Sequence, residues 1–292
     1  MTLLEIARAL ERSDRFELAV LDPDRGAGLC AGERIEIDGV VYVHRPYRVW
    51  LDLAERLGFR MCTPRAAADP CVTLVFERVV AAIRKPENID DVREKYGVES
   101  MFARTSKLEE PGFVLDFADA LDRISLPAMP RILDLGVNTG DEIELLLALR
   151  PELRASMIVG VDRSASALIV ARTRFPGAAF VEADLDRPLE LDAFDLVISI
   201  ATLQSGTIDD RELLRRITQR HLAASGSLII GVPNCRLIGS ELSYGARTRN
   251  VRQPELGLVV KDLAFYRKYL QQHGKRVFVT GKHYLLVTAV PA

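Results

Sequence analysis

The chain has 292 residues, 48% of them hydrophobic, and can bury the core of one large domain or of a main domain with an appendage. Its 39 basic and 41 acidic residues leave a formal charge of −2, which excludes the strong overall basic field of many nucleic-acid-binding proteins. No apolar run approaches the roughly 18 residues of a membrane span. The start of the chain also lacks the apolar core and cleavage site of a signal peptide. We therefore predict a cytoplasmic protein without a membrane partner.

The cysteines and histidines do not indicate a metal site or a disulfide framework. None of the four cysteines belongs to a CxxC pair, and the four histidines are not spaced as metal ligands. We expect reduced thiols and no bound metal at these positions, which are Cys30, Cys62, Cys71, Cys235, His44, His221, His273 and His283.

The first 110 residues mix short helices and short strands. Helical spacing of apolar residues and β-branched stretches alternate, and the turn pair Asp38-Gly39 predicts a hairpin. A polar stretch, Arg84–Glu99, follows. We predict a small α+β unit over residues 1–110 that serves as a substrate-recognition or accessory unit. Its predicted helices lie at about 2–13 and 46–57, and its predicted strands at 16–20, 33–37, 40–44 and 72–76.

A regular alternation of strands and helices begins after Pro130, following a predicted helix at 113–124. Alternating β and α elements predict a parallel sheet with helices on both faces. The last two strands are separated only by the turn at Gly281-Lys282, so they must run antiparallel. Residues 111–292 should form a doubly wound, mostly parallel seven-stranded α/β sheet with an antiparallel last strand. The predicted strands are 131–136, 156–162, 178–184, 194–201, 226–232, 275–280 and 283–290, and the helices are about 140–150, 164–174, 208–223 and 259–273.

The most informative motif is a short apolar strand that leads into the turn Gly136-Val137-Asn138-Thr139-Gly140 and then into a helix. A turn of this kind allows a polar cofactor to lie against bare backbone. The next predicted strand ends in Asp162, whose carboxylate could hold both hydroxyls of a ribose at the same crevice. A nicotinamide-binding fingerprint would require a third glycine where the chain has Asp141.

This turn and the order of elements resemble the class I S-adenosylmethionine-dependent methyltransferases over about residues 111–292. The resemblance implies S-adenosylmethionine as cofactor and a methyltransferase activity. Gly136 and Gly140 would let the backbone approach the ligand closely, and Asn138 stands where the family often has a further glycine. Asparagine tolerates left-handed backbone, so this departure is mild.

The resemblance also implies which residues bind the cofactor. Asp162 matches the ribose-binding acid, and Asp184 matches the acid that accepts a hydrogen bond from the adenine amino group. Each has a structural alternative, because Asp162 could cap the next helix through Ser164, and Asp184 or Asp186 could cap a turn. The implied cofactor-binding set is Asp134, Gly136, Val137, Asn138, Gly140, Asp162, Arg163, Asp184, Leu185 and Ala201.

Residues that could orient or activate a methyl acceptor follow the fourth and fifth strands of the predicted sheet. The signature Asn-Pro-Pro-Tyr of amino-directed nucleic-acid enzymes is absent after strand four, which argues against base-amino methylation. Covalent catalysis by Cys235 is the weaker reading, because the prolyl-cysteine expected after strand four is missing. We weigh Ser199, Thr202 and Cys235 and take as catalytic candidates Gln204, Asn234 and Tyr244.

A long connection, Arg236–Gly257, precedes the last predicted helix and is rich in arginine. Arginine pairs with carboxylates and phosphates, so we predict that Arg247 and Arg249 bind an anionic substrate. A solvated surface loop is the alternative. The remaining arginines of this segment are Arg236 and Arg252.

Three functions remain open at this stage. The first is a methyltransferase for a small-molecule acceptor, which the near-neutral charge favours over nucleic acid. The second is a tRNA or other RNA methyltransferase. The third is a non-catalytic cofactor-binding partner protein, against which the intact turn and acidic residues argue. The acceptor atom and the oligomeric state do not follow from the sequence.

Overall fold

The computed structural model describes residues 1–79, 97–98, 100, 105–238, 241–248 and 254–292. The chain forms two compact units. Unit 1 comprises Met1–Arg84 together with Leu237–Tyr244, and unit 2 comprises Lys85–Arg236 together with Gly245–Ala292. The chain therefore leaves unit 2 after Arg236 and returns to it at Gly245. Most of the predicted polar stretch Arg84–Glu99 lies outside the described residues.

Unit 1 is an α+β unit built on an antiparallel sheet. Its long strand pairs with three shorter strands, and a separate hairpin lies between the first strand and the second helix in sequence. The elements are α1 (Leu3–Glu11), β1 (Arg15–Leu21), β2 (Arg34–Ile37), β3 (Val40–Val43), α2 (Tyr47–Leu57), β4 (Phe59–Met61), β5 (Arg65–Ala66) and β6 (Cys71–Arg78).

Local signals set the ends of the two helices of unit 1. Thr2 begins α1 with a capping box, in which its hydroxyl accepts from the backbone N–H of Glu5 and the Glu5 carboxylate accepts in return from the N–H of Thr2. Gly58 ends α2 in the left-handed conformation that glycine adopts most easily. The apolar faces of both helices pack with the sheet around the buried side chains of Ile6, Leu10, Trp50, Leu74 and Phe76.

Unit 2 alternates strands and helices as predicted. Short helical turns at Lys107–Glu109 and Pro151–Ala155 supplement its longer helices. The elements are α3 (Pro111–Asp122), β7 (Arg131–Leu135), α4 (Asp141–Leu149), β8 (Met157–Asp162), α5 (Ala165–Arg174), β9 (Ala179–Glu182), β10 (Phe194–Ile200), α6 (Asp210–Arg216), β11 (Leu222–Pro233), α7 (Leu256–Gln272), β14 (Lys275–Gly281) and β15 (Tyr284–Pro291). Between β11 and α7 the chain forms β12 (Cys235–Ile238), which begins in unit 2 and ends in unit 1, and β13 (Glu241–Tyr244), which belongs to unit 1.

The main sheet has seven strands in the order β14-β15-β11-β10-β7-β8-β9. Neighbouring strands from β11 to β9 are parallel, whereas β15 is antiparallel to both β11 and β14. The predicted fold class is thereby confirmed. Alternate residues of these strands pack into two different hydrophobic clusters, one on each face, so the sheet is buried on both faces. Ile132 and Ile198 pack with α3 and α4, and Leu133 and Val197 pack with α6 and α7.

The short strands β4 and β5 of unit 1 were not predicted, and two regions after residue 200 also differ from the prediction. The helix expected at 208–223 ends at Arg216, continues as one π-helical turn, Ile217–His221, and β11 then begins four residues before the predicted start. Leu222 already pairs with Phe194, ahead of a register shift in the sheet. The connection Arg236–Gly257, expected to be a loop, contains the paired strands β12 and β13. None of the described helices is long and apolar enough to cross a membrane.

Candidate functional site

The carboxyl ends of the parallel strands meet at one edge of the main sheet. The chain proceeds from β7 outward through β8 to β9, and it resumes at β10 on the other side of β7. This reversal of strand order opens a crevice at the edge, which is where ligands bind in open α/β sheets. Asp162 is the last residue of β8 at this edge, and the turn after β7, Asp184 and Ala201 follow the ends of their strands.

The turn after β7 is built from left-handed backbone. Gly136, Asn138 and Gly140 have φ angles of 77°, 47° and 93°. Asn138 is suited to this conformation because its side-chain oxygen accepts from the N–H of Thr139 at 2.9 Å. The N–H of Gly136 donates to the carbonyl of Val161 at 2.8 Å, which joins the turn to β8.

Both glycines of the turn also have a packing role. A Cβ atom at Gly136 would lie 2.1 Å from Oγ1 of Thr202, and one at Gly140 would lie 2.6 Å from the ring of Phe175. The Thr202 hydroxyl donates to the carbonyl of Leu135 at 3.0 Å. Thr202, weighed as an acceptor-site residue, therefore braces the turn in this structure.

Asp162 is buried and joins the turn to the start of α5. Its Oδ2 accepts from the N–H of Asn138 and its Oδ1 from the N–H of Ser164, both at 2.9 Å. Ser164 itself caps α5 by accepting from the N–H of Ala167. Asp162 thus makes the contact with Ser164 that the structural alternative expected. Each of its carboxylate oxygens still has a second lone pair that could accept a hydrogen bond from a ligand.

Asp134, at the end of β7, is buried, and neither of its carboxylate oxygens has a hydrogen-bond partner among the described residues. Glu142 on α4 is also fully buried, and its Oε1 lies 2.5 Å from Nζ of Lys107. Burial raises the pKa of Asp134 well above its ordinary value, and the nearby Glu142 raises it further while Lys107 opposes the shift. Two buried carboxylates therefore face a single ammonium group.

Sequence reasoning missed Lys107, Glu142 and a third residue, Arg174, near the turn. The Arg174 guanidinium donates to the carbonyl of Thr139 at 2.6 Å and to Oδ1 of Asp141 at 3.1 Å. It thereby ties the end of α5 to the start of α4. No local pattern signals these roles, because each partner lies more than 30 residues away in sequence.

The other predicted cofactor residues lie in short segments after their strands. Asp184 and the buried Leu185 follow β9, and the Leu185 carbonyl accepts from Arg216 at 2.5 Å. Arg163 follows β8 and donates to the Thr207 hydroxyl at 3.3 Å. Ala201, directly after β10, has a φ of 60°, which is uncommon for a residue with a side chain and occurs often at functional sites.

A cavity of about 320 Å³ lies in unit 2 beyond the end of β10. Its lining includes Gln204, which the sequence suggested as a catalytic candidate, and Arg247, which it suggested as a substrate-binding residue. Arg247 also forms an ion pair with Asp262 at 3.3 Å, and burial raises the pKa of Asp262. Arg249 lies outside the described residues. The cavity lining consists of Leu203, Gln204, Ser205, Gly206, Ile208, Asp210, Arg247, Leu258, Lys261 and Asp262.

The remaining catalytic candidates make structural contacts. Asn234 is buried, and its side-chain amide donates to the carbonyl of Lys282 at 3.1 Å in the turn before β15. Tyr244 belongs to unit 1, where its backbone N–H donates to Oε1 of Glu55 at 2.6 Å. Cys235 is buried. In the described part of the chain, no group of three or more His, Cys, Asp or Glu side chains could hold a metal ion.

Comparison with known proteins agrees with this geometry. Residues 133–230, which extend from β7 into β11, match the family described as a methyltransferase domain. The chain contains a class I methyltransferase domain. The cofactor of this class is S-adenosylmethionine.

The relatives of this methyltransferase domain share it over a limited length. Trans-aconitate 2-methyltransferase of Methylobacterium nodulans is 38% identical over 117 residues, 40% of this chain and 43% of that protein. The protein of the same name from Acidovorax sp. is 36% identical over 116 residues, with the same two coverages. The chain thus matches less than half the length of these relatives. A solved S-adenosylmethionine-dependent methyltransferase from Mesorhizobium loti is 19% identical, with a TM-score of 0.44, over 60% of this chain and 97% of that chain.

The methyltransferase domain offers groups that fit two polar parts of S-adenosylmethionine, its ammonium group and its ribose. The partnerless carboxylate of Asp134 suits an ammonium group, and the spare lone pairs of Asp162 suit ribose hydroxyls. The turn between them contains two glycines in left-handed conformation, which carry no side chain that a ligand would have to avoid. The residues present therefore fit the cofactor.

Proposed function

We propose that the chain transfers a methyl group from S-adenosylmethionine to a small anionic acceptor. The observation that carries this proposal is the cavity beyond the end of β10, whose lining includes both Gln204 and Arg247. Guanidinium groups bind carboxylates with charge-assisted hydrogen bonds. The relatives from Methylobacterium nodulans and Acidovorax sp. bear the name trans-aconitate 2-methyltransferase, which names an acid as their acceptor.

In this proposal the cofactor is held by residues at the edge of the main sheet. Asp162 accepts from the ribose hydroxyls, Asp134 faces the ammonium group, and Asp184 with Leu185 binds the adenine. Arg163, Val137 and Ala201 complete the contacts, and Gly136 with Gly140 keeps the turn narrow. Their support is the convergence of the strand ends and the buried, partnerless oxygens of Asp134.

The chemistry of the cavity favours an acceptor that is already ionised. When bound, S-adenosylmethionine supplies an electrophilic methyl group on a sulfonium centre, so the protein must mainly align the nucleophile and exclude water. A carboxylate acceptor needs no base at neutral pH, because carboxyl groups ionise near pH 4. Both carboxylates of the cavity lining already have partners, since Asp210 accepts from Tyr266 and Asp262 pairs with Arg247. Arg247 would then hold the acid, with Arg249 as a proposed second contact.

The test is transfer of labelled methyl from S-adenosylmethionine to a panel of acids that includes trans-aconitate, with total tRNA as the competing acceptor. Arg247→Ala should raise KM for an acid about tenfold or more and leave S-adenosylhomocysteine affinity nearly unchanged, because a charge-assisted hydrogen bond contributes about 1.5–3 kcal/mol. The exposed Arg154 provides a matched control, Arg154→Ala.

The outcomes separate the proposed function from its alternatives. Labelled tRNA, with a shallower salt dependence in the Arg247→Ala and Arg249→Ala double variant, would establish an RNA acceptor instead. Cofactor binding without transfer to any acceptor would favour the non-catalytic partner. An unchanged KM for the acid in Arg247→Ala would remove Arg247 from the acceptor site.

A further inference from the structure

The side-chain amide of Gln204 is held in one orientation by two neighbours. The hydroxyl of Tyr266 donates to Oδ2 of Asp210 at 2.6 Å, so the proton of that hydroxyl is committed. Burial and the bond to Asp210 raise the pKa of Tyr266, which keeps this proton in place at all ordinary pH values. The Tyr266 oxygen can then only accept, and Nε2 of Gln204 donates to it at 3.3 Å.

This arrangement leaves Oε1 of Gln204 as a buried acceptor. It has no hydrogen-bond partner among the residues that the structure describes. Rotating the amide would place Oε1 against the Tyr266 oxygen, two acceptors facing each other, so rotation cannot relieve it. A buried acceptor without a donor is unfavourable, and Gln204 lies on the wall of the cavity. A ligand that presents an O–H or N–H group would satisfy it.

The charges of the cavity lining restrict what else the ligand carries. Arg247 and Lys261 supply positive charge, while the negative charges of Asp210 and Asp262 already face Tyr266 and Arg247. A ligand ammonium group would meet no free carboxylate here, whereas a neutral hydroxyl needs none. A carboxylate of the ligand would interact with Arg247, which already pairs with Asp262, and with Lys261.

We propose that the cavity selects a hydroxy acid: the carboxylate of the acceptor lies against Arg247, and its hydroxyl donates to Oε1 of Gln204. Tyr266 is a positioning residue, which acts by fixing the Gln204 amide and does not touch the acceptor. This proposal rests on the proposed function and adds the feature by which one acid is chosen over another.

Two pairs of acids that differ by a single hydroxyl provide the test. Citrate is compared with tricarballylate, and malate with succinate, by methyl-ester formation from labelled S-adenosylmethionine and by calorimetric binding to the protein saturated with S-adenosylhomocysteine. The parent should prefer the hydroxy member of at least one pair by about tenfold or more in kcat/KM, because sites built to bind a hydroxyl reject the analogue that lacks it.

The variants separate orientation from packing. Tyr266→Phe frees the amide to rotate, so the preference for the hydroxy acid should fall to less than about threefold, and Gln204→Leu should abolish it. Tyr269→Phe removes a hydroxyl from the same helix outside the cavity lining and should keep the preference of the parent. If Tyr266→Phe does not fold, as judged by its thermal transition, Gln204→Leu alone decides.

Equal use of both members of each pair by the parent would overturn the hydroxyl proposal and leave the proposed acid methyltransferase intact. Retention of the full preference in Gln204→Leu would overturn the assignment to Gln204. If the parent binds S-adenosylhomocysteine but neither binds nor methylates any of the four acids, both the hydroxy-acid proposal and the acid acceptor fail. Loss of S-adenosylhomocysteine binding in the parent itself would instead contradict the cofactor assignment.

Discussion

Replacing Lys107 with methionine tests whether its ammonium group balances the buried charge of Glu142, as the structure indicates. The Lys107 ammonium lies 2.5 Å from Oε1 of Glu142. The Glu142 side chain is 0% exposed and that of Lys107 is 20% exposed. Methionine keeps the length of the lysine stem but removes its charge. The Glu142 carboxylate would then be buried beside Asp134 without a cation.

Removal of one partner from a buried ion pair costs about 3–5 kcal/mol, because the remaining charge is desolvated and unpaired. Lys107 retains some contact with solvent, so we expect the lower end, about 3 kcal/mol. For a unit of about 200 residues, this lowers the midpoint of thermal unfolding by roughly 6–12 °C. Lys268→Met, at an exposed position of α7, should change the free energy of unfolding by less than about 0.5 kcal/mol.

Urea unfolding at pH 7, followed by circular dichroism, measures these differences. The decisive comparison is the double variant Lys107→Met with Glu142→Gln, which removes both charges and keeps the shapes. It should recover at least half of the stability lost by Lys107→Met alone, since no unpaired charge remains at this pair. The reasoning is refuted if Lys107→Met costs less than 1 kcal/mol, or if Glu142→Gln adds to the loss instead of reversing it.

Two further changes address the residues that we propose to bind the cofactor. Asp134→Asn should stabilise the protein at pH 7–8. Burial raises the pKa of Asp134, so the parent loses stability as the pH rises from about 3.8 through that raised pKa. If the stability difference between the variant and the parent does not grow from pH 4 to pH 8, this prediction is wrong. The same variant should bind S-adenosylhomocysteine more weakly by calorimetry. Asp162→Ala should weaken the binding of S-adenosylhomocysteine at least about tenfold, because a charged hydrogen-bond acceptor is lost. Asp186→Ala, at an exposed position, should leave this binding unchanged. Equal affinities of these two variants would remove Asp162 from the ribose site.

The sheet could be read from the sequence because its strands carry their own signals. In β7, the buried Ile132, Leu133 and Leu135 form an apolar run broken by one residue, Asp134, as expected for a parallel strand covered on both faces. The two-residue spacing at Gly281-Lys282 settles the direction of the last strand. The turn at Gly136 and Asn138 could also be predicted from the sequence, because few residue types fit its left-handed backbone.

What the sequence did not reveal depends on contacts between distant segments. Lys107 meets Glu142 only after α4 has packed, and Gln204 reaches Tyr266 across 62 residues. The strands β12 and β13 are four residues each, too short for a periodic pattern to exceed chance. Arg247 was selected as one of several arginines in a long connection, and only the folded chain shows that it lines the same cavity as Gln204.

The return of the chain into unit 1 at Leu237–Tyr244 makes the two units inseparable by a single cut. Cleavage near Arg84 would leave residues 237–244, which belong to unit 1, in the fragment that carries unit 2. A chain shortened to begin at residue 111 would still carry those residues, but it would lack Glu55, which accepts from the Tyr244 N–H. Part of unit 1 is therefore inserted in the sequence of unit 2, and a variant without unit 1 would need a new connection between Arg236 and Gly245.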